Sequence, residues 1–148
     1  MTSDKKWWLD PYFLIVLLAA CIYWAGLYAM TLPNPNWFWP IQTPIAFLYP
    51  ALVYPVLEEI VFRGLIQDWL RQKLPGLIVG AISKANLITS LLFTALHFIN
   101  HPPLWAAAVF IPALIFGYFK DRSGGLGAPI ALHVFFNSGY FLIFTHGL

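Results

Sequence analysis

The sequence predicts an all-α membrane protein: a polytopic bundle of about five transmembrane helices with its N-terminus in the cytoplasm. Three observations carry this reading. Of the 148 residues, 60% are hydrophobic and 9% charged, against about 45–50% and about 25% in soluble domains; the mean hydropathy is +0.73. The apolar residues gather in runs of about 20, the length that crosses a bilayer core. The cations fall in alternate loops, as chain reversal across a membrane requires. Disorder and an ordinary soluble fold are excluded by the composition. A formal charge of +2 is too small for a nucleic-acid footprint. One cysteine, Cys21, makes no internal disulfide.

The first run covers about residues 11–32. Lys5 and Lys6 precede it, as in a signal peptide. Its length, the bulky Trp24 and Tyr28, and the missing small-x-small cleavage site favour a retained helix. Pro33, Pro35, Pro40 and Pro44 then mark a loop, because proline lacks an amide donor. The remaining spans are expected at about 44–72, 84–99, 103–119 and 127–144, the third entered through Leu77–Ile82. No repeat or linker divides the chain, so residues 1–148 are expected to form a single transmembrane domain.

Seven of the eight Lys and Arg lie at the N-terminus, between spans two and three, or between spans four and five. Positive loops face the cytoplasm. Trp37, Phe38 and Trp39 are assigned to the outer aromatic belt, and Trp7, Trp8 and Trp69 to the inner one. Arg63 is the exception. Residues 54–64 place Glu58, Glu59 and Arg63 among apolar side chains, where each charge costs at least about 2.5–3.5 kcal/mol on insertion scales and reads as functional by default. Glu59 and Arg63 are four apart, on one helical face, and form a structural ion pair. Glu58, about 100° round the helix, takes the chemical role. The alternative places both glutamates as solvated charges at the cytoplasmic interface.

Phe93 lies one turn before His97 in span three, and His133 one turn before Asn137 in span five. A lone helical histidine is more often a satisfied packing residue. Two histidines, an amide and a carboxylate all need partners where lipid offers none, and the economical solution is that they meet. At about 1.5 Å per residue, Glu58 lies about 20 Å from Arg71, His97 about 20 Å from Lys84, and His133 about 16 Å from Arg122. All three reach the middle of a core about 30 Å thick. That match requires span two to stay helical past Arg63 to about Gln72, with Gln67, Asp68, Arg71 and Gln72 as its inner, wetter turns.

Glu58-Glu59-x-x-x-Arg63, Phe93-x-x-x-His97 and His133-x-x-x-Asn137, in this order on successive helices, resemble the CPBP intramembrane proteases. That family includes the Rce1-type CAAX prenyl endopeptidases and bacterial abortive-infection-like proteins. The resemblance covers about 44–140, with span one outside it. In size the chain also resembles compact bacterial members associated with JDVT-type C-terminal sorting signals. The resemblance implies a glutamate-dependent, metal-independent peptidase. Glu58 and His97 would activate water, His133 and Asn137 would form the oxyanion hole, and Glu59, Arg63 and Phe93 would support the site. It also implies a membrane-protein or lipidated-peptide substrate, no cofactor, and a multi-pass position in the inner (plasma) membrane. Physical chemistry agrees: a carboxylate among apolar groups is a stronger base than one in water, and two N–H donors one turn apart can converge on an oxyanion.

Residue types alone also allow zinc on Glu58, His97 and His133 with one open position, although the chain has no His-Glu-x-x-His helix. Two other function classes stay open: a proton or ion pathway, and a non-catalytic immunity or interaction protein on the same scaffold. Cys21 reads as a small apolar filler; His101 and His146 as solvated; Asn86 and Thr89 as interhelical hydrogen bonders; Asn100 as a cap before Pro102; and Gly117, Gly124, Gly125, Gly127 and Gly139 as turn or close-packing positions. Pro50 and Pro55 are expected to kink span two and release backbone carbonyls before Glu58.

Overall fold

In the computed structural model, residues 6–33 and 35–144 are described; the expectations for Lys5 and His146 lie outside them. Helix α1, Pro11–Thr31, starts where Asp10 accepts a hydrogen bond from the Tyr12 amide at 2.9 Å. Pro11 fits this first turn because its missing donor is not needed there. A short helix α2, Trp39–Gln42, interrupts the proline-rich loop. Helix α3 then runs unbroken over Pro44–Lys73. A small antiparallel ribbon follows, β1 (Leu77–Val79) and β2 (Ile82–Ser83). Helices α4 (Lys84–His97), α5 (Pro103–Ser123) and α6 (Gly127–Phe144) complete the chain.

Four of these helices, α1, α3, α5 and α6, are long and apolar enough to cross a membrane. The protein is therefore all-α and polytopic, with two corrections to the expected five spans. The third span ends at His97, not Ile99, and has 14 residues, or about 21 Å of helix, short of a full crossing. Its composition explains this. Asn86, Thr89, Ser90 and Thr94 are buried, so its polar face needs protein neighbours rather than lipid. The entry through Leu77–Ile82 is the ribbon, which Gly80 turns with φ +54°. The fourth span reaches Ser123 instead of stopping at 119. Its last charged turn is stabilised by partners: Lys120 pairs with Asp68 at 2.9 Å, and Asp121 accepts from Gln67, Arg71 and Ser83. Gly124 closes the helix in the left-handed conformation, φ +73°.

The chain divides into two compact units, 58–130 and 6–57 with 131–144. In the first, α4 packs its buried face on α5. Phe62, Phe93 and Ala113 form the apolar centre, with Ile66 and Val109 against it. Asn86 Nδ2 donates to the Leu114 carbonyl at 3.0 Å, and Asn86 Oδ1 accepts from Ser90 Oγ at 3.0 Å. A side chain at Gly117 would collide with Asn86 and Gln67, so this glycine does close-pack. Thr89 is different: among the described residues its buried Oγ1 has no hydrogen-bond partner.

In the second unit, Trp24 of α1 packs on Phe135 and Phe136, with ring centroids 5.1 and 6.2 Å away. It lies over Gly139, where a Cβ would strike the indole. Trp39 is buried, not a belt residue; its Nε1 donates to the Phe141 carbonyl at 3.2 Å, and its ring meets Phe47 edge-on. Trp8, Trp37, Phe38 and Trp69 are exposed, while Trp7 is partly buried against Phe13. Cys21 is exposed too, so it fills no core space.

Candidate active site

Helix α3 carries Glu58, Glu59 and Arg63, and its winding sets their directions. The stretches Tyr49–Val53 and Ile60–Gln67 wind wider than an α-helix, with i→i+5 hydrogen bonds. Such turns are rare and recur at functional sites. The helical continuation past Gly64, on which the depth match depends, is present. Glu59 and Arg63 are fully buried, with Nε and Oε2 3.3 Å apart. Arg63 Nη2 donates to the Ala113 carbonyl at 2.9 Å, and its guanidinium lies 5.0 Å from the Phe93 ring centroid. The cation is thus held by a carboxylate, a carbonyl and a π-face, which together offset its desolvation. Glu58 is partly buried.

Gln67 was expected on a wetter turn. It is fully buried, and its Nε2 donates to the Gly117 carbonyl at 2.9 Å and to Asp121 Oδ1 at 3.1 Å. Asp121 also accepts from Ser83 Oγ at 2.6 Å and Arg71 Nη1 at 3.0 Å. The sequence reading missed this hub. Its signal was the Arg63, Gln67, Arg71 spacing of four, which makes a polar stripe rather than an isolated pair.

His97 ends α4. Its Nδ1 lies 2.9 Å from the Phe93 carbonyl. A carbonyl only accepts, so Nδ1 carries the hydrogen and Nε2 is the basic nitrogen of the neutral ring. Phe93 therefore contributes more than its spacing suggested: its ring takes Arg63 and Phe62, and its carbonyl fixes the His97 tautomer. His101 is exposed, as expected, and also has ring neighbours. Its ring lies 4.1 Å from Trp105 and 5.7 Å from His97. Asn100 does not cap the next helix: α5 begins after Pro102 without a side-chain cap.

His133 and Asn137 belong to the other unit. His133 is buried. Asn137 Nδ2 donates to the Pro50 carbonyl at 3.0 Å, and the two prolines explain why. The Tyr54 amide bonds to Tyr49, five residues back. The next amide in that register would be that of Pro55, which has no hydrogen. Pro50's carbonyl is released, as expected, and the Asn137 amide takes it up. Thus 58–130 brings Glu59, Arg63, Phe93 and His97 into one connected set, while 6–57 with 131–144 fixes Asn137. Among the described residues, no three His, Cys, Asp or Glu side chains are grouped to hold a metal ion.

Residues 40–139 match the family described as type II CAAX prenyl endopeptidase Rce1-like. The chain belongs to this family. The match takes in all seven motif residues, Glu58, Glu59, Arg63, Phe93, His97, His133 and Asn137, and excludes α1, so the Rce1-like portion begins at the proline-rich loop. With its four apolar helices, this Rce1-like chain is an integral membrane protein. A curated relative, an uncharacterised 24.3 kDa protein of Escherichia coli, is 37% identical over 84 residues. That alignment covers 56% of this chain and 36% of the relative, so the chain spans about a third of the curated protein it matches. No solved structure matches the chain.

Proposed function

We propose that this protein is an intramembrane endopeptidase of the glutamate-dependent, metal-independent type, acting on a membrane-protein or lipidated-peptide substrate in the inner (plasma) membrane. The observation that carries the reading is the set joined to Phe93. Its carbonyl lies 2.9 Å from His97 Nδ1, and its ring lies under the Arg63 that pairs with Glu59, the neighbour of Glu58. In this reading Glu58 and His97 Nε2 draw the proton from a water as it attacks the peptide carbonyl. His133 and the second Nδ2 hydrogen of Asn137 receive the oxyanion. The first hydrogen, on Pro50, holds that amide in orientation. Glu59 and Arg63 brace the helix that presents Glu58.

The test is Glu58→Gln, which keeps the shape and removes the base. Membrane-protein C-termini are compared by mass spectrometry in cells carrying the wild type, the variant and no chain. Processing is expected to fall about 10²–10⁴-fold for Glu58→Gln and His97→Ala, and about 10²–10³-fold for Asn137→Ala. Unchanged processing in Glu58→Gln cells refutes the peptidase. Purified protein should keep its activity in a strong chelator; loss restored by Zn²⁺ refutes the metal-free mechanism. One observation favours a second reading, a proton pathway. The polar stripe on α3 runs from buried Glu59 to Arg71, whose side chain is 54% exposed. Proton flux in proteoliposomes that falls in Glu58→Gln while processing persists would select it.

A further inference from the structure

The ten residues between Lys73 and Lys84 hold the ribbon, and its surface is unusual. Leu77, Ile78 and Val79 are 62%, 50% and 71% exposed, and Leu74 is 41% exposed. A strand half-covered by a core alternates apolar and polar residues. This one is apolar on both faces and covered on neither. Its level in the bilayer follows from α3. Thirty residues of helix measure up to about 45 Å at the α-helical rise, somewhat less over the wider turns, against about 30 Å for the hydrocarbon core and about 40–45 Å with the headgroups. The last turn of α3 therefore lies among the headgroups, and exposed Trp69 there is a characteristic interfacial residue. The ribbon cannot reach far beyond this level. Gly76 and Gly80 take positive φ, and the Lys84 amide returns to the Gly76 carbonyl at 3.2 Å.

Charge identifies the occupant. Between Trp69 and Lys84 stand Arg71, Lys73 and Lys84, all exposed, with no Asp or Glu among them. Arg71 is engaged by Asp121, which leaves the two lysines flanking the aliphatic tip. We propose that residues 74–83 form an interfacial anchor. Leu77, Ile78 and Val79 seat at the boundary of the acyl chains, while Lys73 and Lys84 hold the phosphates of anionic phospholipids in the cytoplasmic leaflet. A second copy of the chain is a poorer occupant, because a two-fold interface here sets the same lysines against each other.

The full chain with Cys21→Ser and Val79→Cys is labelled with an environment-sensitive fluorophore and placed singly in nanodiscs of phosphatidylcholine, with or without phosphatidylglycerol. Ile78→Cys serves as a second label site, so one unstable variant does not decide the matter. The expected result is emission shifted to the blue, quenched by spin-labelled lipid and protected from aqueous iodide, with stronger lipid quenching when phosphatidylglycerol is present. Adding Lys73→Gln and Lys84→Gln should abolish the difference between the two lipid mixtures. Three results overturn the proposal: water-like emission quenched by iodide in both mixtures, lipid quenching indifferent to phosphatidylglycerol and to the lysines, or a blue shift seen only when two chains share a disc.

Discussion

The two units hold their helices by different chemistry. In 58–130, α3 presents Glu59, Arg63, Gln67 and Arg71 at every fourth residue, and α5 answers with Ala113, Gly117 and Asp121 at the same interval. The contacts are polar side chains on backbone carbonyls and carboxylates. In 6–57 with 131–144, rings do the packing: Trp24 on Phe135, Phe136 and Gly139, and Trp39 on Phe47. Lipid tails are as apolar as leucine, so burial alone does not drive helices together in a bilayer. Close packing and hydrogen bonding are the alternatives, and each unit relies mainly on one. The polar solution is directional, which suits a segment that in the proposed mechanism aims a carboxylate and an imidazole. It also fails abruptly when one member is lost.

The largest stability effect expected follows from that failure. Arg63→Met removes the counter-charge of a fully buried Glu59. Breaking a buried pair from one side typically costs about 3–5 kcal/mol, because the remaining charge is uncompensated. Unfolding in mixed micelles should show a loss of that size. The double variant Glu59→Leu/Arg63→Met should recover much of it, since replacing both partners is often neutral. A double variant as unstable as the single would mean that the carbonyl and ring contacts of Arg63, rather than the pair, hold the unit.

Much of this was legible in the sequence, and the failures share a cause. Apolar runs and prolines placed α1, α3, α5 and α6 to within a few residues, because a bilayer imposes length and composition at once. The Glu59–Arg63 pair was legible because both partners lie on one helix at a fixed spacing. Partners on different elements left no such mark. Nothing in a linear reading ties Asp121 to Gln67 and Ser83, or Asn137 to Pro50. The charges at 120–122 looked like the end of a span, although they extend it. The ribbon was misread because Leu77–Val79 is as apolar as a helix entry, and only Gly76 and Gly80 argue otherwise. Trp39 looked like a belt residue because composition does not tell an indole facing lipid from one facing a helix.

Two glycines test the contrast between units at intermediate size. Gly117→Ala and Gly139→Ala each force a methyl into an occupied place, and overpacking of this kind costs about 1–3 kcal/mol. Their rescues should differ. At 139 the nearest obstacle is the Trp24 ring, so Trp24→Phe should restore most of the loss. At 117 the nearest obstacle is Asn86, with Gln67 beside it, and Asn86 also bonds Leu114 and Ser90. Gly117→Ala/Asn86→Ala relieves the main clash but leaves Gln67 close and forfeits two hydrogen bonds of about 1 kcal/mol each, and should stay unstable. Equal rescue at both sites would mean that the first unit is held by packing as much as by hydrogen bonds.

The smallest effect belongs to the exposed end of the polar stripe. The Arg71 side chain is 54% exposed and meets Asp121 at 3.0 Å. Exposed ion pairs contribute about 0–1 kcal/mol and are screened by salt. Asp121 would still accept from Gln67 and Ser83. Arg71→Ala should therefore lower stability by no more than about 1 kcal/mol, with the difference shrinking further at high ionic strength. The stripe is thus graded: the same four-residue spacing gives a decisive contact at Arg63 and a dispensable one at Arg71, because solvent reaches the second and not the first. A loss at Arg71 as large as at Arg63 would mean that Asp121 depends on that guanidinium, and that the stripe stands or falls as one network.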